Sequence, residues 1–123
     1  MQEFVINGRL PSYNDLHNGG WQKTWAKKRD AMAVVGIAAL SIKPITDPVT
    51  ITIACYEPDK RRDADNVLSG ATKVILDALQ KYGKLPNDNR HWVTLKLKPV
   101  KTCSSNPRIE VYITDRLEDL TDE

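Results

Sequence analysis

A chain of 123 residues, 41% hydrophobic and 28% charged, has the size and balance of one soluble globular domain with enough apolar content for a core. No apolar run approaches the roughly 20 residues a membrane-spanning helix requires. No basic stretch leads into an apolar one near the start either, so a cytoplasmic protein without membrane contact is expected. The formal net charge of +2 hides an uneven distribution. Residues 115–123 hold five acids against one base, which leaves the rest of the chain distinctly basic and suited to a polyanionic partner.

In chain order, Phe4-Val5-Ile6 centres a first strand within Gln2 to Leu10, and the turn-rich run from Pro11 to Gly20 reads as a loop. Trp21 to Leu40 reads as a helix whose apolar residues Trp21, Trp25, Met32, Val35 and Ala39 recur at helical spacing, with Lys23, Lys27 and Asp30 on the polar side. Trp25 and Trp92 are accordingly expected in the core. After Pro44 and Pro48, Val49 to Tyr56 alternates with β-branched residues, the pattern of a strand. Asn66 to Tyr82 carries a stripe of Val67, Ala71, Val74, Ile75, Ala78, Leu79 and Tyr82 and ends at Gly83, a helix with its C-terminal glycine. Trp92 to Val100 and Arg108 to Thr114 close the chain as strands. The order β-α-β-α-β-β predicts an α+β fold, two main helices layered on a mixed sheet. It forms one domain over 1–114 with an acidic tail over 115–123.

The chemistry concentrates in Arg61-Arg62-Asp63-Ala64-Asp65-Asn66, at the junction of the second strand and second helix, with Asp88 beyond that helix. Asp63 and Asp65, two residues apart, project to one side of an extended segment. A third carboxylate from Asp88 then completes an oxygen-ligand set of the kind Mg²⁺ prefers, with Mn²⁺ as a substitute. Such a set beside Lys60, Arg61 and Arg62 points to metal-assisted hydrolysis of a phosphodiester backbone. Lys96 and Lys98 alternate with Leu95 and Leu97 and so share one strand face, a candidate phosphate contact. Asn14 is a further candidate for contact with DNA or a second subunit. The plainer alternative for Asp65 is a helix cap. Asp77, at i, i+4 from both Lys73 and Lys81, belongs to a solvated face and stays outside the site. His17 and His91 lack a second histidine at metal spacing, and His91 is expected to be structural. Cys55 and Cys103 also lack metal-ligand spacing and are expected to be reduced. No glycine-rich phosphate cradle occurs, so no nucleotide cofactor is expected. Gly70 inside the helix is either tolerated or the point of a close approach.

Asp63-x-Asp65-Asn66, Ile75-Leu76-Asp77-Ala78-Leu79 and Asp88, together with Leu10-Pro11-Ser12-Tyr13-Asn14 after the first strand, resemble the RusA family of Holliday junction resolvases, many of them from phages and prophages. The likeness spans about Phe4 to Thr114. It implies a homodimeric Mg²⁺-dependent endonuclease that cuts four-way DNA junctions symmetrically, with Asp63, Asp65 and Asp88 as metal-binding and catalytic carboxylates. The family often has a functional lysine one turn after the first motif, where this chain has Ser69, and Lys73 is the nearest substitute. Other branched DNA or RNA is the alternative substrate, and a nucleic-acid-binding module without catalysis the alternative function.

Overall fold

The structure, a computed structural model, describes residues 1–116, so the expected acidic tail lies outside the described residues from position 117 on. The chain forms β1 (Gln2–Asn7), α1 (Tyr13–His17), α2 (Gly20–Ala38), β2 (Val49–Glu57), α3 (Ala64–Lys81), β3 (Val93–Leu97), β4 (Lys101–Thr102) and β5 (Arg108–Asp115). The fold is α+β. One mixed sheet runs in the order β1-β5-β2-β3, with β4 also pairing β2.

The sheet is centred on β2 because that strand carries the strongest β-branched alternation. Its inner face, Ile51, Ile53 and Cys55, is buried against Ile113, Val111 and Ile109 of antiparallel β5. β5 in turn pairs antiparallel with β1, setting Phe4 and Ile6 into the same layer. β3 runs parallel to β2, Val49 beside Val93 and Ile53 beside Leu97. A parallel neighbour requires a crossover, and α3 supplies it, travelling back along β2 with Val67, Ala71, Val74, Ile75, Ala78 and Leu79 buried. Gly83, at φ 76°, ends it, and Tyr82, expected on the buried stripe, sits at the C-cap and is exposed. The N–H groups of Lys84 and Leu85 then both donate to the Leu79 carbonyl, at 2.8 and 3.0 Å, and turn the chain so that Leu85 enters the core.

Three elements differ from the sequence expectation. The segment Pro11 to Gly20 contains α1, nucleated by a capping box: Ser12 Oγ accepts from Asp15 N–H while the Asp15 carboxylate accepts from Ser12 N–H. In α2 the buried residues, Ala31 and Val35, lie in the second half of the helix. Trp21 and Trp25 are 76% and 60% exposed, and Trp25 is not in the core. Helical spacing marks a stripe but cannot show whether a layer lies beneath it. Trp92 is half-buried and packs against the core as expected. The third expected strand, Trp92 to Val100, stops at Leu97 before Pro99, and β4 lies beyond it in the expected loop. No helix among the described residues is long and apolar enough to cross a membrane.

Gly70 is a point of close approach. A methyl there meets the Pro11 carbonyl oxygen and the Ser12 backbone well inside van der Waals distance, because the entry to α1 rests directly on α3. Gly70→Ala is therefore expected to destabilise by about 1–3 kcal/mol, despite the ~1 kcal/mol that alanine gains in helix propensity. At Gly36 the atoms nearest to an added methyl belong to the exposed Tyr82 side chain rather than to backbone, so Gly36→Ala should cost less than Gly70→Ala. Urea unfolding of the two variants checks the contrast.

Candidate active site

β2 ends on Glu57, whose side chain is only 5% exposed. A carboxylate there is tolerable only when hydrogen-bonded and paired, and two arginines provide this. Arg62 donates through Nε and Nη2 to the two Glu57 oxygens, at 2.9 Å each. Arg9 donates to Oε1 at 2.9 Å. Arg62 also donates to the Leu10 carbonyl at 3.1 Å and lies 3.4 Å from the Asp15 carboxylate. The loop between β2 and α3 is thereby folded back on the strand that launches it and tied to α1. Burial acts to raise the Glu57 pKa, but hydrogen bonds and charge from Arg62 and Arg9 outweigh it and hold the carboxyl below its ordinary 4.5. Asp15 is likewise held low, first by its bond from the Ser12 N–H.

The loop delivers Asp63 to the N-cap position of α3 and Asp65 to its first turn. Asp63 does not cap the helix with its side chain. Both carboxylates are exposed, and neither has a hydrogen-bond or ion-pair partner among the described residues. This contrasts with the acids around them: Asp15 and Glu57 meet Arg62, and Asp59 lies 3.7 Å from Arg61 and accepts from its backbone N–H. Two carboxylates at the positive end of a helix dipole are each stabilised in their charged form. Mg²⁺ commonly takes one or two carboxylates and completes its shell with waters and phosphate oxygens. Asp65 lies within the helix rather than on the extended segment expected to carry both acids, and each carboxylate by itself is a donor of that kind.

Asp88 does not join them within one chain. It lies in the segment after α3, and that segment leads into β3 beside the first residue of β2. An 18-residue helix, ~27 Å long, separates the two ends. Among the described residues no group of three or more His, Cys, Asp or Glu is placed to hold a metal ion. The expected gathering of three carboxylates is thus corrected for the single chain. A parallel βαβ unit necessarily puts the residues before and after its helix at opposite ends.

The basic candidates divide in the same way. Lys60 and Arg61 are exposed next to the acidic pair. Arg62 is turned inward to Glu57, so its first role is to position the loop rather than to meet a phosphate. Asn14 is exposed on α1, one residue from the Asp15 that reaches Arg62, and so stands beside the loop. Lys98 and Lys101 follow β3 toward the end of β2 from which Asp63 emerges. Lys96 lies mid-strand, opposite Thr52. Lys73 points to Asp77 at 3.3 Å, and Asp77 also meets Lys28, so Lys73 is held two turns from Asp65. His91 is exposed and stacks edge-on against Trp92.

Two features were missed in the sequence. The Glu57–Arg62 and Glu57–Arg9 pairs have no local signal, because their partners are five and 48 residues apart. Exposed Trp21 and Trp25 line a shallow groove with Leu16, Lys28 and Lys73, and Arg29 sits over the Trp25 ring at 5.0 Å. Their i, i+4 spacing was legible, but was assigned to the core. No protein-family model matches the chain, and no curated protein matches it.

The paired Glu57 gives a pH-dependent stability. Its folded pKa lies below the unfolded 4.5, so its contribution is complete above that value and is lost as pH falls through the lowered folded pKa. Glu57→Ala, which strands two guanidinium groups, is expected to lose about 3–5 kcal/mol at neutral pH. The gap to wild type should narrow below pH 4.5, as followed by urea unfolding across pH.

Proposed function

We propose that this protein is a Mg²⁺-dependent endonuclease that cuts branched DNA, with the four-way junction as its substrate and a homodimer as its working form. The observation that carries this reading is Asp63 and Asp65, exposed and without a side-chain partner among the described residues at the N-terminus of α3, while the neighbouring acids Asp15, Glu57 and Asp59 are each matched to an arginine. Exposed carboxylates with no cationic partner keep their oxygens available to a cation. When bound, the metal supplies an activated water and stabilises charge on the scissile phosphate. The chain's own residues have separable tasks. Asp63 and Asp65 hold the cation, Lys60 and Arg61 attract the phosphates, and Lys98 and Lys101 extend the basic track along the same end of the sheet. Arg62 keeps the loop in place through Glu57. Trp21 and Trp25 offer exposed rings for bases left unstacked at a branch point.

The junction preference rests on the resemblance to the RusA family and on the platform of exposed tryptophans and lysines. A non-catalytic binding module is the competing reading. It is favoured by the place of both acids in the first turn of α3, where they also complement the helix dipole.

End-labelled four-way junction and matched linear duplex, incubated with Mg²⁺, test the proposal. Wild type is expected to make paired symmetric cuts in the junction and to spare the duplex. Asp65→Asn should reduce cleavage roughly a hundredfold or more, the scale of one lost transition-state contact, while binding persists. Binding without cleavage in Mg²⁺ or Mn²⁺ would leave only the module. For affinity, Trp21→Ala is expected to weaken junction binding by about 1–3 kcal/mol. Lys98→Ala should instead lower the slope of log affinity against log salt by about 0.9. Titrations at several salt concentrations separate the two effects.

A further inference from the structure

The second half of α2 is apolar on both sides. From Ala31 to Ile42 the chain carries no charged residue. Ala31, Val35 and Ala39 turn inward and are buried. On the opposite side Ala33, Gly36, Ile37 and Leu40 follow the i, i+3, i+4, i+7 spacing of one helix face, and they line a shallow groove with Tyr82 and Lys84 from the end of α3. Ile37 and Leu40 are 71% and 73% exposed, and Val34 is exposed beside them. A helix segment that is apolar all round belongs in an interior, and contiguous exposed apolar surface marks a place where something docks.

The rim of this groove is basic. Lys84 lines it, its Nζ donating to the Ile42 carbonyl at 2.6 Å. Lys81 stands over the Tyr82 ring at 5.6 Å, and exposed Lys43 follows Ile42. The complementary occupant is apolar at its centre and acidic around it. A second copy docked through the same face would set its own lysines against these, and like-charge repulsion opposes that arrangement.

This chain contains a segment of the required kind. Leu117-Glu118-Asp119-Leu120-Thr121-Asp122-Glu123 has four acids, two leucines and no base, and it lies outside the described residues. It also begins at the right end of the fold. β5 ends at Asp115, which shares a cleft with Ile45. The Ile45 N–H donates to the Lys84 carbonyl at 2.8 Å, so the cleft and the groove adjoin. Arg116 fastens the chain to the loop after α3, donating to the Arg90 and His91 carbonyls at 2.7 and 2.8 Å. Extended chain then carries Leu120 up to ~17 Å from Asp115, enough to cross from the cleft to the groove.

We propose that residues 117–123 dock on this groove within the same chain, with Leu120 seated among Ile37, Leu40 and Tyr82 and the acids facing Lys43, Lys81 and Lys84. The docking also holds four acids at the end of α3 opposite to Asp63, where they do not compete with phosphates for Lys60 and Arg61. It is independent of the endonuclease reading.

Disulfide trapping on the full chain, in a Cys103→Ser background, locates the segment. Leu120→Cys is combined either with Ile37→Cys in the groove or with Asp47→Cys in the cleft beside Asp115. Asp47 is nearer to the start of the segment, so an undirected chain closes onto it faster. Docking reverses the order, and the Ile37 pair is expected to close about tenfold faster through its higher effective concentration. Equal rates, or faster closure at Asp47, overturn the proposal. A disulfide that joins two chains, seen as a doubled mass, assigns the groove to a second copy and overturns it too.

Binding of anilinonaphthalene sulfonate reads the cover on the groove. Leu120→Asp is expected to raise its fluorescence severalfold, and adding Ile37→Glu to that variant should remove the rise. Ile37 lies outside the core, so circular dichroism should not change. Light scattering is expected to give one mass for wild type, Leu120→Asp and Ile37→Glu. Unchanged fluorescence in Leu120→Asp, or a mass that falls in Ile37→Glu, overturns the docking.

Discussion

Glu57 is a carboxylate withdrawn from water at the end of the central strand, and the two guanidinium groups that close on it offset its desolvation. Arg62 does most of this work. Its planar fork matches both carboxylate oxygens, and its remaining N–H reaches the Leu10 carbonyl and the Asp15 carboxylate. One side chain therefore joins the end of β2, the exit from β1 and the first turn of α1. The segment between Glu57 and α3 is tied down at Arg62, which sets where Asp63 and Asp65 reach the surface.

That arrangement separates two kinds of charge that look alike in the sequence. Arg61 and Arg62 are adjacent, but one is almost wholly exposed and the other is directed into a buried pair. Asp59, Asp63 and Asp65 lie within seven residues, but Asp59 is engaged by Arg61 and the other two have no side-chain partner among the described residues. The functional distinction comes from solvation. A carboxylate already satisfied by an arginine has little to offer a cation, whereas an exposed, unmatched pair gains from binding one. The crossover of α3 adds a second constraint. It makes β2 and β3 parallel neighbours, and by the same geometry it holds Asp88 a full helix length from the acidic pair.

Local pattern accounted for the elements whose burial is one-sided and periodic. The β-branched run of β2, the apolar stripe of α3 closed by Gly83, and the alternation in β5 all lie where their spacing indicated. Where pattern and burial separate, the reading failed. The tryptophans of α2 follow helical spacing and yet face water, because a stripe is a property of one helix and a core is a property of two layers. The short α1 had its Ser12 and Asp15 capping box in plain view, hidden by a run of residues that otherwise signal turns. Leu95 and Leu97 alternate like any half-buried strand, and their exposure arises only because the helix layer stops short of β3.

The sequence by itself determined the α+β class, the central strand, the crossover helix, and the residue types available for metal and phosphate chemistry. These follow from periodicity, turn chemistry and local spacing, which act over a few residues. Only the tertiary structure decided that Arg62 serves Glu57, that Asp63 and Asp65 have no side-chain partner among the described residues, and that Asp88 stands at the far end of the sheet. Those outcomes depend on which groups lose water and which strands become neighbours. Contacts such as Arg9 with Glu57, 48 residues apart, are set by the packing of the whole chain.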